Sequence, residues 1–218
     1  MDFDYIFDIL PDILEGLPTT VSLFLWSILF STILGLVLAL LRLSPVAPFR
    51  WFAGFYAWLL RGVPLLLIMF YVFFAFPELG ESFLLSPYWA AVASLSLWTA
   101  SYQAESIRSG ILAVDQGQFE AAEALAMSRA HTMRKIVIPQ SVRIIVPPFT
   151  GNAINTMKQT SLATVITVPE MTLLTQRIVS RDFKALEPLL ALALLYLALT
   201  TLLVFAQQGL ERAFRLKV

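Results

Sequence analysis

The chain has no cysteine and a single histidine, His131, among its 218 residues. The first absence excludes disulfides, Cys-ligated zinc and a thiol nucleophile. The second excludes a histidine-rich metal site. Charge is also scarce: 14% of residues are Asp, Glu, Lys or Arg, against about a quarter in a soluble globular domain. Lys+Arg and Asp+Glu are equal at 15 each, so no bulk charge draws the chain to nucleic acid. No Gly-x-x-x-x-Gly-Lys occurs, so the chain has no phosphate-binding loop of its own. Ser128 and His131 share one short segment with no third group to orient the imidazole, which gives no support to Ser–His–Asp catalysis. No acid/base pair or metal cluster stands out, so no catalytic residue is assigned. What the chain has is apolar surface: 58% hydrophobic residues and a mean hydropathy of +0.77. That composition points to a polytopic membrane protein.

Residues 1–16 carry Asp2, Asp4, Asp8, Asp12 and Glu15 interleaved with Phe3, Tyr5, Ile6, Phe7, Ile9 and Leu10. A cleavable signal would need a basic start; this pattern suits a short interfacial helix with its acids in water. An uncharged run from about Leu17 to Leu41 follows, longer than the ~20 residues that a bilayer core requires. A second apolar stretch, Trp51 to Phe76, is interrupted by Arg61-Gly62-Val63-Pro64. Either Arg61 snorkels to a shallow interface, or the helix is kinked where it lines a pathway. A third span begins at the aromatic anchor Pro87-Tyr88-Trp89 and runs to about Ala104, with Glu105 and Arg108 on one helix face beyond it. The fourth, Ile144 to Met157, is short and contains Pro147, Pro148 and Gly151, so a broken helix is expected there. The last runs from about Pro188 to Gln207. The expectation is an all-α membrane protein of about five transmembrane helices in one domain, 1–218. Arg42, Arg50, Arg108, Arg129, Arg134, Lys135, Arg143, Arg212, Arg215 and Lys217 then share one side, against Arg177, Arg181 and Lys184 on the other. The positive-inside rule places the N-terminus outside and the C-terminus in the cytoplasm.

The stretch Asp115 to Ser161, the longest without a membrane-length apolar run at its start, organises the rest. Asp115 with Gln118 reads as a capping box opening a helix, and Glu120 and Glu123 sit where the helix dipole favours acids. Phe119, Ala122 and Ala126 form a narrow apolar stripe. Ser128 can cap a second short helix bearing Arg129, Arg134 and Lys135, with Pro139 ending it. His131 reads as a surface residue of that basic arm. The bare alternative is a solvated loop whose charges only enforce topology.

The string Glu120-Ala121-Ala122, Ala126, Ile136-x-Ile138-Pro139 resembles the EAA motif of importer-type ATP-binding cassette permeases, E-A-A-x3-G-x9-I-x-L-P. It departs at Ala126, where the family has a glycine suited to positive φ. Arg61-Gly62-Val63-Pro64-Leu65 is similar to the R-G-T-P-L signature of the branch importing polar amino acids. Ala100 to Arg108 is similar to its A-Y-x-x-E-x-x-R segment. Lys158-Gln159-Thr160-Ser161-Leu162 and Val168-Pro169-Glu170-Met171-Thr172 also fit, in the right order, over about residues 16–187.

The resemblance implies one transmembrane subunit of a type I amino acid importer in a bacterial cytoplasmic (inner) membrane. It implies a second permease subunit, identical or related, two ATPase subunits that bind ATP and magnesium, and an external solute-binding protein. This chain itself would hold no cofactor and would not be an enzyme. Residues 115–139 would be the cytoplasmic coupling loop, with Gln118, Phe119, Glu120, Ala121, Ala122, Leu125 and Ala126 at the ATPase; Glu120 would be the polar contact and Phe119 and Leu125 the apolar anchors. Pathway candidates are Arg61, Glu105, Asn152, Asn155, Lys158, Gln159, Thr160 and Ser161. A charge at mid-bilayer costs about 2.5–3.5 kcal/mol, so Arg61, Glu105 and Lys158 each need a reason. Gln159, Thr160 and Ser161 follow the broken fourth span with Lys158, and Asn152 and Asn155 are three apart on one face. Glu105 also reads as a simple pair with Arg108, and the asparagines as helix–helix hydrogen bonding. Gln159 is neutral where many relatives carry an acid, which leans away from an obligatory cationic cargo side chain. The rival readings are a secondary transporter or channel without an ATPase, and a permease of the same machine class for a sugar or oxyanion.

Overall fold

A computed structural model describes residues 2–214, leaving aside the side chain of Ser82; Arg215 and Lys217 of the expected basic tail lie outside the described residues. Every secondary-structure element among the described residues is helical. The first, α1 (Phe3–Leu14), starts where the Asp2 carboxylate accepts the Tyr5 N–H. It is amphipathic as the sequence suggests, with Ile9 and Ile13 buried and Phe3 and Phe7 exposed. Next comes α2 (Leu17–Leu43), with Pro18 in its first turn, where the missing N–H costs nothing. The interrupted stretch resolves into α3 (Ala47–Gly62) and α4 (Leu65–Phe70), the latter running through a π-helical turn into a 3-10 turn that ends at Leu79. The two limbs meet at 105°. Pro64 is the cause: it holds Val63 in extended geometry, φ −100° and ψ 132°. The helix is therefore broken two residues beyond Arg61, as the Gly62-Val63-Pro64 interruption leads one to expect.

The long α5 (Pro87–Leu112) opens with Ser86 capping the Trp89 N–H. It packs along α2 through small residues: Ser27, Ser31, Gly35 and Ala39 of α2 recur every fourth position. A Cβ on Gly35 would lie 3.0 Å from Gln103 Cβ and 3.3 Å from the Ala100 carbonyl. Close backbone approach of this kind is how helices associate in lipid, where apolar burial drives nothing.

Two short helices follow, α6 (Gln116–Ala124) and α7 (Arg129–Thr132), and then a π-helical turn leads into α8 (Ile138–Gln159). Here the structure corrects the sequence reading twice. Pro139 does not end the basic arm; it lies in the first turn of α8, where no donor is required of it. The fourth span is likewise not broken, because α8 stays helical through Pro147 and Pro148. Both prolines lie on its exposed face, so the carbonyls they leave without donors are not sealed in the bundle.

The polar segment before the last span is also helical. A 3-10 stretch, Thr160–Ile166, leads to α9 (Met171–Asp182) and then α10 (Leu186–Phe214). By length and composition α2 and α10 are able to cross a membrane, and the bent α3/α4 pair makes a third crossing if it is one span. At one end α1, α9 and the start of α10 enclose Ile9, Ile13, Met171, Ile178, Ala191 and Leu192. The fully buried Glu170 caps α9, accepting from the N–H groups of Thr172 and Leu173 at 2.8 and 2.9 Å and from the Tyr196 hydroxyl at 3.1 Å. Gly16 abuts this cap so closely that a Cβ would sit 2.5 Å from the Met171 nitrogen.

Candidate functional site

Polar residues of α5 recur at helical spacing and form a seam against α8. The Thr99 hydroxyl lies 2.9 Å from that of Thr156, and the Asn152 amide donates to the Ser106 hydroxyl at 3.1 Å. Gln103 lies between them, fully buried, with both amide atoms unpartnered among the described residues. Alongside the seam, Trp98, Thr99 and Tyr102 with Asn152 and Asn155 line a cavity of about 10 Å³, room for no more than one water.

Tyr102 also borders a much larger cleft, about 490 Å³, between the end of α2, α3 and α5. Arg42, Trp58, Arg61 and Glu105 line it. The Arg61 guanidinium lies over the Tyr102 ring, 5.4 Å from its centroid, a cation–π distance. Both oxygens of Glu105 accept from Arg108, three residues on. The expected intrahelical pair is therefore made, and it is made at the edge of a cavity.

Of the eight pathway candidates, the structure brings Arg61 and Glu105 together at the cleft and Asn152 and Asn155 together at the small cavity. It does not add the four that follow. Lys158 is exposed and Gln159 half-buried. Thr160 is buried, donating to the Met157 carbonyl, and Ser161 donates to that of Lys158. None of the four lines either cavity; where the chain tightens to 3-10 geometry at Thr160, the hydroxyls of Thr160 and Ser161 turn back on the preceding turn. Sequence reasoning missed Arg42, Trp58, Thr99 and Tyr102. The spacing of Trp98, Tyr102 and Glu105, four and then three residues, was the available signal for part of this set.

Along α8 the residues Ile144, Pro147, Pro148, Gly151, Asn155 and Lys158 form one exposed stripe. Nothing lies within 4 Å of where a Cβ on Gly151 would be. A face of proline, glycine, amide and ammonium is poorly suited to hydrocarbon.

The loop between α5 and α8 is capped much as expected. Asp115 accepts from the Gly117 N–H at 2.7 Å and Ser128 from that of His131 at 3.4 Å. The reciprocal half of the capping box is not made, because the Gln118 side chain accepts from Gln140 of α8. Ala126 adopts φ +52°. The Met127 N–H then reaches back to the Ala122 carbonyl, so the turn that favours glycine forms with alanine in place. Ala122 is buried, and Gln118, Glu120, Ala121 and Ala126 are exposed. Leu125 is 75% exposed. Phe119 is half-buried and lines a groove of about 460 Å³ with Met127, Arg129 and Met133. The expected apolar stripe therefore turns Phe119 and Ala122 toward the chain's own body and leaves Leu125 as the outward apolar group.

Outside the apolar helices, Asp182 binds Arg181 and accepts from the Tyr5 hydroxyl at 2.7 Å. The guanidinium first and the hydroxyl second hold its carboxyl down to about 2. Arg181 also reaches Asp12, and Lys184 reaches Asp2.

Residues 31–216 match the family of binding-protein-dependent transport system inner membrane components. The chain is 36% identical over 215 residues to the arginine transport system permease protein ArtQ of Bacillus subtilis (strain 168), covering 99% of this chain and 98% of that one. It is 37% identical over 194 residues to the octopine transport system permease protein OccM of Rhizobium radiobacter, covering 86% and 79%. Its backbone superposes on a chain from a crystal structure of an amino acid ABC transporter with histidines with a TM-score of 0.91 at 29% identity, covering 98% and 99%.

Proposed function

The chain belongs to the family of binding-protein-dependent transport system inner membrane components, and on that premise we propose that it forms half of an inward pathway for amino acids in a bacterial cytoplasmic membrane. Two relatives named for arginine and octopine transport support that cargo class. The reading has five crossings, with α1 and α9 at the outer surface and the α6–α7 loop in the cytoplasm. The crossings are α2, the broken α3/α4, α5, α8 and α10. A second permease subunit, identical or related, faces this one; two separate ATPase subunits bind ATP and magnesium; an external solute-binding protein delivers the cargo.

The observation that carries the proposal is the uncovered stripe on α8. In a chain this apolar, an exposed run containing Gly151, Asn155 and Lys158 is stable only against protein or water. A second subunit across an aqueous path supplies both. Asn155 and its neighbours Asn152, Thr99 and Tyr102 then border the path, with Arg61 and Glu105 further along it and Lys158, Gln159, Thr160 and Ser161 beyond its other end. Coupling falls to α6: Glu120 and Leu125 project from it toward the ATPase, while Gln118, Phe119, Ala121, Ala122 and Ala126 set its attitude. ATP-driven closure of the ATPase pair draws the two loops together, and differential binding of cargo to the two arrangements makes the cycle vectorial.

Co-purification from detergent, comparing the native chain with a Glu120→Lys, Leu125→Glu double variant, tests this. Both residues are exposed, so the variant folds as the native chain does, within about 0.5 kcal/mol. A stoichiometric ATPase follows the native chain and is lost from the variant. Absence of any ATPase, with solute moved down an ion gradient by the permease alone, would establish the secondary-transporter reading instead.

A further inference from the structure

The cleft at the end of α2 holds more positive charge than the chain itself balances. Arg42 and Arg61 line it with Glu105 as the one carboxylate, and Arg108, outside the lining, already engages both Glu105 oxygens. The four ion pairs among the described residues include neither Arg42 nor Arg61. The space is also shaped for a guanidinium. A Cβ on Gly54 would lie 2.9 Å from Arg42 Nη1, so the Arg42 guanidinium lies close against α3 at this glycine. On the other flank Gly62 leaves the cleft open, with nothing within 4 Å of its would-be Cβ.

We propose that this cleft is a solute-holding station on the amino-acid path, apart from the small cavity at Asn155, in which Arg42 and Arg61 hold the carboxylate of a zwitterionic solute and Glu105 meets its ammonium group. The inference rests on the reading of the chain as half of an amino-acid pathway. Two cations beside one anion match a zwitterion. Guanidinium forks pair with carboxylates through parallel N–H donors, and each Glu105 oxygen retains a lone pair after Arg108 is served. A phosphate dianion fits less well, because the same carboxylate repels it. Tyr102 borders both cavities, so its ring links the polar α5–α8 seam to the cleft. The approximate volume of 490 Å³ lies within the usual range for small-molecule sites, about 300–1,000 Å³.

Trp58 lines the cleft and is 70% exposed, which gives the test an internal reporter. The other four of the five tryptophans are changed to phenylalanine, and the complete permease–ATPase complex is placed in phosphatidylcholine nanodiscs. Iodide quenching of Trp58 is then followed as glycine, N-acetylglycine or glycinamide is added. Glycine protects Trp58, N-acetylglycine protects at higher concentration, and glycinamide does not protect. Arg42→Gln and Arg61→Gln each raise the protecting concentration of glycine by about tenfold or more. Quenching by neutral acrylamide stays the same in both variants, which shows the cleft still folded. Protection by glycine that is absent, or unchanged in both variants, overturns the station. So does loss of iodide quenching on adding phosphatidylglycerol alone, which assigns the cleft to a lipid phosphate. The ATPase content of the same preparations is read separately: a complex with its full ATPase in which glycine gives no protection refutes the station and leaves the transport reading standing.

Discussion

The two ends of this molecule are finished to different degrees. Where α1, α9 and the start of α10 meet, polar groups find partners within the chain: Tyr5 with Asp182, Arg181 with Asp12, Lys184 with Asp2, Glu170 with Tyr196. Several of these join residues more than 150 positions apart, so they clasp the beginning of the chain to its last third. At the other end Arg42 and Arg61 face an open cleft, Leu125 stands in solvent, and the α8 stripe is exposed, with open space beside Gly151. The first end is closed by pairs within the chain, and the open end is the one to which the proposed docking and passage are assigned.

The contrast can be broken most forcefully at Gly16. Its would-be Cβ meets backbone rather than a flexible side chain, so Gly16→Val forces α2 away from α9. We expect a loss of about 3 kcal/mol, read as a fall in the thermal midpoint and monodisperse yield of purified protein. A native midpoint for this variant would mean that the clasp is loose and the contrast unfounded. Next in size is Glu170→Ala, which removes the α9 cap and strands the Tyr196 hydroxyl. The expected cost is about 2 kcal/mol, and Tyr196→Phe added to it should cost little more, since the two residues share one interaction. Fully additive losses would show that they act separately. The smallest effect belongs to the open end and has the opposite sign. Ala126→Gly relieves a left-handed alanine and should stabilise the loop by ~1 kcal/mol, seen as slower proteolysis between α6 and α7 with no change in ATPase recovery.

Much of the fold was legible in particular residues. The uncharged run of α2, the Ser86-Pro87 start of α5 and the apolar run of α10 are set by local composition. So is the break at Pro64, since a proline constrains its predecessor whatever surrounds it. The continuity of α8 was not legible. Whether Pro147 and Pro148 break a helix depends on whether their unpaired carbonyls are buried, which no local pattern states. The α9 helix was passed over because its cap, Glu170, is fully buried against α10, and an acid in a polar stretch reads as solvated. At the candidate site, helical spacing linked Glu105 to Arg108 and Asn152 to Asn155. It gave no reason to bring in Arg42, and it set Lys158 to Ser161 beside residues they do not join.

The sequence by itself determined that this chain is helical and membrane-bound, where its capped loop begins, and the family to which it belongs. Those properties follow from composition, spacing and short-range stereochemistry, which neighbours distant in the chain do not alter. Only the tertiary structure decided which charges meet. Arg42, Arg61 and Glu105 lie on three helices, and their convergence depends on how small residues let α2 approach α5 and on the angle at which the chain turns at Pro64. Convergence of that kind is set by the packing of whole helices, and no short stretch of the chain encodes it.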